Sequence, residues 1–259
     1  MSIPHVTAIG FSHLQAILVA QQIREAERRA TFALETLTIL PPSNPAFVPW
    51  CEHVDGQCIY NEQIGWAAAD AVKRNSSALV VMSFWSNQHF FLSISNDPRR
   101  FDFVLPHDDD LPIDPEAELV PFDLMKKMMS HIFKETLGLV DFLQQFYAGP
   151  AVVTAAPPPV DDVVSIVNGT SSPELDEKVR QLGYAPPALR YRFWKLCEII
   201  ANEYLSQRQV PLLPPPARTV RPDGFRVREY WGGDSIHGNL DYGELVLQQI
   251  DALLAPPSG

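Results

Sequence analysis

A length of 259 residues with 46% apolar content suits one large α/β domain, or at most two small ones, with a sizeable core. Lys and Arg total 20 against 31 Asp and Glu, a net charge of −11. That excludes a general nucleic-acid-binding face, which needs clustered positive charge, and disfavours anionic membranes.

In chain order, Val6–Gly10 reads as a first strand and Ser12 to about Ala30 as a helix, with Leu14, Ile17, Leu18 and Ile23 at helical spacing. Phe32–Leu40 is strand-like and is closed by Pro41-Pro42-Ser43-Asn44-Pro45, which cannot continue a ladder. Asn61–Lys73 is helical. Ala78–Phe84 is the strongest buried-strand signal in the chain. Phe122–Tyr147 is a long helix, and Ala151–Ala156 a buried strand stopped by Pro157-Pro158-Pro159. Pro187–Gln207 is helical, Val210–Leu213 is a short last strand, and Tyr242–Leu254 is a closing helix. This alternation predicts a parallel five-stranded sheet in a three-layer α/β/α domain spanning 1–259. Asn96–Asp123 is too long and irregular for an ordinary connection and is expected to form a lid or rim. A second irregular stretch, Pro214–Gly233, leads into the last candidate motif.

No run reaches the ~18 apolar residues of a membrane span. Met1-Ser2-Ile3-Pro4-His5 lacks the basic start of a leader, so a cytoplasmic protein is expected. Cys51, Cys58 and Cys197 then read as reduced structural thiols. Cys51 and Cys58 have no accompanying Cys or His pair at zinc-finger spacing, so a metal site is not expected. The acidic run Asp108-Asp109-Asp110, with Asp114, Glu116 and Glu118, lacks the glycine and spacing of a calcium loop and reads as a solvated segment. Tyr191-Arg192-Phe193-Trp194-Lys195 mixes basic and aromatic residues, but at helical spacing it reads as a half-buried helix with solvated Arg and Lys.

Two segments carry the chemistry. In Ile9-Gly10-Phe11-Ser12-His13, a serine sits where the first strand turns into a helix. Ligands of parallel sheets bind at such carboxyl ends, and helix N-termini stabilise negative charge. On position alone, Ser12 serves equally well as a helix cap. Asp234-Ser235-Ile236-His237 places a carboxylate and an imidazole three residues apart among Gly232, Gly233 and Gly238. Taken singly, Asp234 is a turn residue and His237 a surface residue. Taken with Ser12, they supply a nucleophile, a base and a group that orients the base.

The order of Ser12, then an Asn after a mid-chain strand, then Asp-x-x-His resembles the SGNH (GDSL-type) hydrolase superfamily. Asp234-Ser235-Ile236-His237-Gly238-Asn239 with Tyr242-Gly243 is similar to its closing block. Ile9-Gly10-Phe11-Ser12 is similar to its opening Gly-Asp-Ser, with Phe11 in place of Asp or Asn. Ser83-Phe84-Trp85-Ser86-Asn87-Gln88-His89 is similar to its Gly-x-Asn-Asp/Glu block, with Trp85 for glycine and Gln88 for the acid. The resemblance implies a flavodoxin-like fold and a serine-dependent ester hydrolase acting on a small-molecule or carbohydrate ester, with no metal or organic cofactor. It makes Ser12 the nucleophile, His237 the base and acid, and Asp234 the orienting carboxylate. The Ser12 backbone N–H and the Asn87 side chain become the oxyanion donors. A further donor, taken by the family from a glycine after the second strand, has no convincing counterpart in Gly56 or Gly65. Phe11, His13, Trp85 and His89 are expected to line the pocket. Phe11 and Trp85 would either narrow it for a small acyl group such as acetyl or fill it. Acyl transfer to an acceptor other than water and a non-catalytic SGNH-like binding domain are the competing readings.

Overall fold

The computed structural model describes residues 3–39, 44, 46, 48–84, 92–106, 111–162 and 173–255, without the side chains of 173–176. Five strands form the parallel sheet: β1 (His5–Gly10), β2 (Ala33–Thr38), β5 (Leu79–Ser83), β8 (Ala151–Thr154) and β9 (Leu212–Leu213). Their spatial order is β2-β1-β5-β8-β9. Counted among sheet strands alone, this is the 2-1-3-4-5 order of a flavodoxin-like fold, whose direction of winding reverses between β1 and β5. From Val6 onward each β1 residue pairs on both sides, Gly10 with Thr38 and with Ser83, so the ends of β1 and β5 lie level.

Strand alternation sorts the two faces. Val6, Ala8, Leu79, Val81 and Val152 meet α1 (Leu14–Ala26) and the last helix, α6 (Leu240–Leu254). Ile9, Val80, Met82 and Val153 meet α2 (Glu62–Asn75), α3 (Phe122–Gln144) and α5 (Pro187–Ser206). Helices on both faces give the three layers that the alternating pattern predicts.

Several boundaries differ from expectation. α1 ends at Ala26 rather than near Ala30, because Arg28 turns left-handed at φ 57° and breaks the ladder. Residues 51–60, which the strand–helix pattern left unassigned, form an antiparallel hairpin of β3 (Cys51–Val54) and β4 (Gln57–Tyr60). Asp55 and Gly56 turn it with φ of 52° and 75°, the Asp-Gly arrangement of a tight hairpin. A short helix, α4 (Pro173–Leu182), also lies outside the expected elements.

Within 96–123 a two-residue parallel ladder joins β6 (Phe101–Asp102) to β7 (Glu118–Leu119). Asp102 accepts two bonds from Arg192 on α5, at 2.8 and 2.9 Å, and Arg192 also donates to the carbonyls of Leu111 and Pro112. Arg192 is therefore buried and ion-paired, not solvated as its sequence context suggested. This pair pins the segment to α5. Residues 107–110, with Asp108, Asp109 and Asp110, lie outside the described residues. Among the described residues no helix is long and apolar enough to cross a membrane.

Candidate active site

The site is built at the carboxyl end of β1. Beyond Gly10, the Phe11 N–H donates to the Ser83 carbonyl at 3.0 Å, which carries the chain over the end of β5. A Cβ on Gly10 would stand 2.2 Å from that carbonyl oxygen, so glycine alone permits the approach. Ser12 follows at the bend. α1 begins at Leu14 with His13 at its N-cap and no side-chain cap, so the Ser12 hydroxyl is not used as one. It lies 2.7 Å from His237 Nε2 instead.

His237 is held from its other nitrogen: Nδ1 is 2.7 Å from Asp234 Oδ2. The second oxygen, Oδ1, accepts the backbone N–H groups of Ile236 at 2.8 Å and His237 at 2.7 Å. Burial raises the pKa of the Asp234 carboxyl. Hydrogen bonds from the His237 ring and from the two backbone N–H groups outweigh that effect and hold it well below the usual carboxylate range. An ionised Asp234 requires Nδ1 to carry the proton it accepts. In the neutral imidazole, Nε2 then carries the lone pair that faces Ser12.

The loop bearing this pair is closed on itself. Gly232 N–H donates to the His237 carbonyl at 3.0 Å, where a Cβ on Gly232 would come within 2.5 Å of the same oxygen. Arg226, wholly buried, grips the loop from beneath. Its Nη1 donates to the His237 carbonyl at 2.5 Å, its Nη2 to the Ile236 carbonyl at 2.8 Å and its Nε to Pro158 at 2.8 Å. Asn239 then caps α6 through the Tyr242 N–H at 3.1 Å. Arg226 is the residue that sequence reading missed, since no local pattern marks an arginine that binds three carbonyls.

Beside Ser12 and His237 opens a cavity of about 390 Å³, walled chiefly by α1 and α6 through Ala16, Ile17, Val19, Leu240, Tyr242 and Val246. Ser83 and Thr154, at the ends of β5 and β8, reach it from the sheet. His13 lines it, its ring 4.9 Å from that of His237. Phe11 does not. Its ring turns to the opposite face of the sheet, edge-on to Trp50 at 6.0 Å and Phe84 at 5.9 Å, which corrects its expected place in the pocket. The physical reason is strand alternation: Phe11 continues the Ile9 side of β1. Asn87, Trp85 and His89 lie outside the described residues. Gly56 sits in the hairpin turn and Gly65 on α2 against the Phe146 ring, so neither adjoins Ser12. None of the described residues of 96–123 lines the cavity. Away from the site, Cys51, Cys58 and Glu135 bring metal-ligating atoms together.

The sheet order and flanking helices define a three-layer α/β/α protein, and the site sets a Ser12–His237–Asp234 relay at the carboxyl end of β1. No family model and no curated protein matches the chain. Among solved structures it is similar in fold to the periplasmic domain of a lipopolysaccharide acetyltransferase of Salmonella ser. Paratyphi A. The identity is 11% and the TM-score 0.51, over 98% of this chain and 84% of that one. It also aligns with a GDSL-like lipase from Bacteroides thetaiotaomicron VPI-5482 at 11% identity and a TM-score of 0.42, over 98% and 93%. At such identities the likeness is one of fold.

Proposed function

We propose that this protein is a serine-dependent acyl-ester hydrolase working through an acyl-enzyme. The observation that supports it is the continuous relay from Ser12 Oγ through His237 to an ionised Asp234, both links 2.7 Å long. Ser12 Oγ attacks the ester carbonyl carbon as its proton passes to Nε2. The carbonyl π pair moves onto oxygen, where the Ser12 backbone N–H and the Asn87 side chain are the proposed donors. Collapse expels the alcohol, which takes the proton from Nε2 and leaves acyl-Ser12. Water then gives its proton to Nε2 and attacks, and a second collapse restores Ser12 and releases the carboxylic acid.

The cavity supports a place for the acyl group. Its walls are mostly apolar and Phe11 does not enter it, so the space exceeds what acetyl fills. Transfer to an alcohol uses the same atoms with the acceptor hydroxyl in place of water. The likeness in fold to an acetyltransferase domain is the reason to include acceptor alcohols in the assay. The test is labelling with a fluorophosphonate and hydrolysis of aryl esters from acetyl to octanoyl. Ser12→Ala is expected to lose labelling and at least about 10³-fold in kcat while keeping its thermal midpoint. Equal turnover with and without Ser12 defeats the proposal. A folded wild type that neither labels nor turns over any ester favours the binding domain.

A further inference from the structure

Far from Ser12, the β3–β4 hairpin lays one face against α3. In its register Cys51 lies opposite Tyr60 and His53 opposite Cys58, so these four alternate residues project from the same side. Tyr60 Oη donates to the Glu135 backbone carbonyl at 2.9 Å, and its ring stacks on Phe142 at 5.1 Å, fixing the hairpin on the helix. The two cysteine sulfurs and a Glu135 carboxylate oxygen then lie within 4.8 Å of one another. His53 Nε2 is 2.8 Å from Glu135 Oε1.

We propose that Cys51, Cys58 and Glu135 form a binding site for a thiophilic divalent cation of the zinc type, which staples the hairpin to α3. Two sulfurs with one carboxylate are a soft donor set that selects such an ion over calcium or magnesium. Around zinc, tetrahedral ligand atoms stand roughly 3.5–3.8 Å apart, so the three atoms need to close by only about 1 Å. All three residues are half-buried, so solvent can supply a fourth ligand. His53, bonded to the Glu135 carboxylate through Oε1, orients it, the usual partner of a ligating group. Binding releases the two thiol protons to solvent as the metal–sulfur bonds form, leaving two thiolates and a carboxylate around a 2+ charge.

The chemistry of the metal-free site agrees. Burial, the neighbouring Cys58 and the Glu135 charge push the Cys51 thiol up to about 12, and burial also raises Cys58. Two neutral thiols beside a carboxylate gain nothing electrostatically from one another. A cation converts that opposition into attraction. The site owes nothing to the Ser12 relay and stands or falls separately.

The test uses the full chain, reduced with a phosphine, freed of metal and titrated with Co²⁺ and then Zn²⁺. One equivalent of Co²⁺ is expected to give a thiolate-to-cobalt charge-transfer band and tetrahedral-type visible bands, which one equivalent of Zn²⁺ abolishes. Cys58→Ser should lose the charge-transfer band. His53→Asn and Glu135→Gln, at half-exposed positions that leave the core intact, should bind about 10- to 100-fold more weakly. Ser12→Ala should titrate as wild type. The proposal is overturned if the reduced wild type shows no charge-transfer band, or if the band persists at full intensity in Cys58→Ser. Unchanged affinity in both His53→Asn and Glu135→Gln also overturns it, whether or not the cysteine variant folds. So does a Cys51–Cys58 disulfide that forms in air while Co²⁺ fails to bind the reduced protein.

Discussion

Asp234 does two jobs with its two oxygens. Oδ1 holds the turn through the Ile236 and His237 N–H groups, and Oδ2 faces the imidazole. Asp234→Asn separates them. Its amide oxygen can take over the backbone bonds, while its NH₂ group then faces Nδ1 and favours the tautomer whose Nε2 carries the proton. That form cannot accept from Ser12. The expected outcome is a kcat lower by about 10³–10⁴-fold with a thermal midpoint within a few degrees of wild type, checked by ester kinetics and calorimetry. Ser12, Asp234 and His237 were legible in the sequence because the turn after β1 and the Asp-x-x-His spacing are local features. The placement of Phe11 was legible in principle too. Val6 and Ala8 meet α1 while Ile9 meets the opposite layer, and counting in twos sends Phe11 with Ile9.

At the level of elements, the position of His237 depends on what lies under its loop. Arg226 satisfies three carbonyls at once, two of them in the loop and one in the segment after β8. Burial lowers its guanidinium to about 10, still charged at neutral pH. Arg226→Met strands the Ile236 and Pro158 carbonyls in a dry interior, leaves the His237 carbonyl only the Gly232 N–H, and is expected to cost about 3 kcal/mol or more in urea unfolding. At a temperature where the variant remains folded, kcat should fall by about 100-fold with little change in KM, because the base shifts while the cavity walls stay. Equal losses in kcat and KM, or none, would remove Arg226 from its positioning role. Neither this clamp nor the Cys51–Cys58–Glu135 cluster could be read in advance, since both join segments far apart in the chain. The hairpin under the cluster carries a local signal in Asp55-Gly56, but its short antiparallel strands fall outside the strand–helix alternation of the rest of the chain.

On the scale of the whole molecule, α1 and α6 lie side by side, and the chain's two candidate catalytic segments adjoin them. Arg24, nearly buried on α1, reaches Glu244 at 2.8 Å and Asp251 at 2.8 Å on α6. Its bonds lower the Glu244 carboxyl from 4.5 to about 2 against the effect of burial. A depressed acid stabilises the fold above its unfolded pKa and loses that contribution as pH falls through its folded one. Stability should therefore decline between about pH 4.5 and 2. Glu244→Gln should melt about 2–6 °C lower at neutral pH and converge with wild type by pH 2, as followed by thermal unfolding across that range. A constant difference at every pH would count against the pair. The same side-by-side packing has a temporal side. Ser12 and His237 are separated by 225 positions in the chain. During synthesis, Ser12 and most of the sheet leave the ribosome well before His237 does. Under the proposed mechanism a nascent chain carries an unactivated Ser12 hydroxyl until α6 docks on α1, and the appearance of serine reactivity would time that docking.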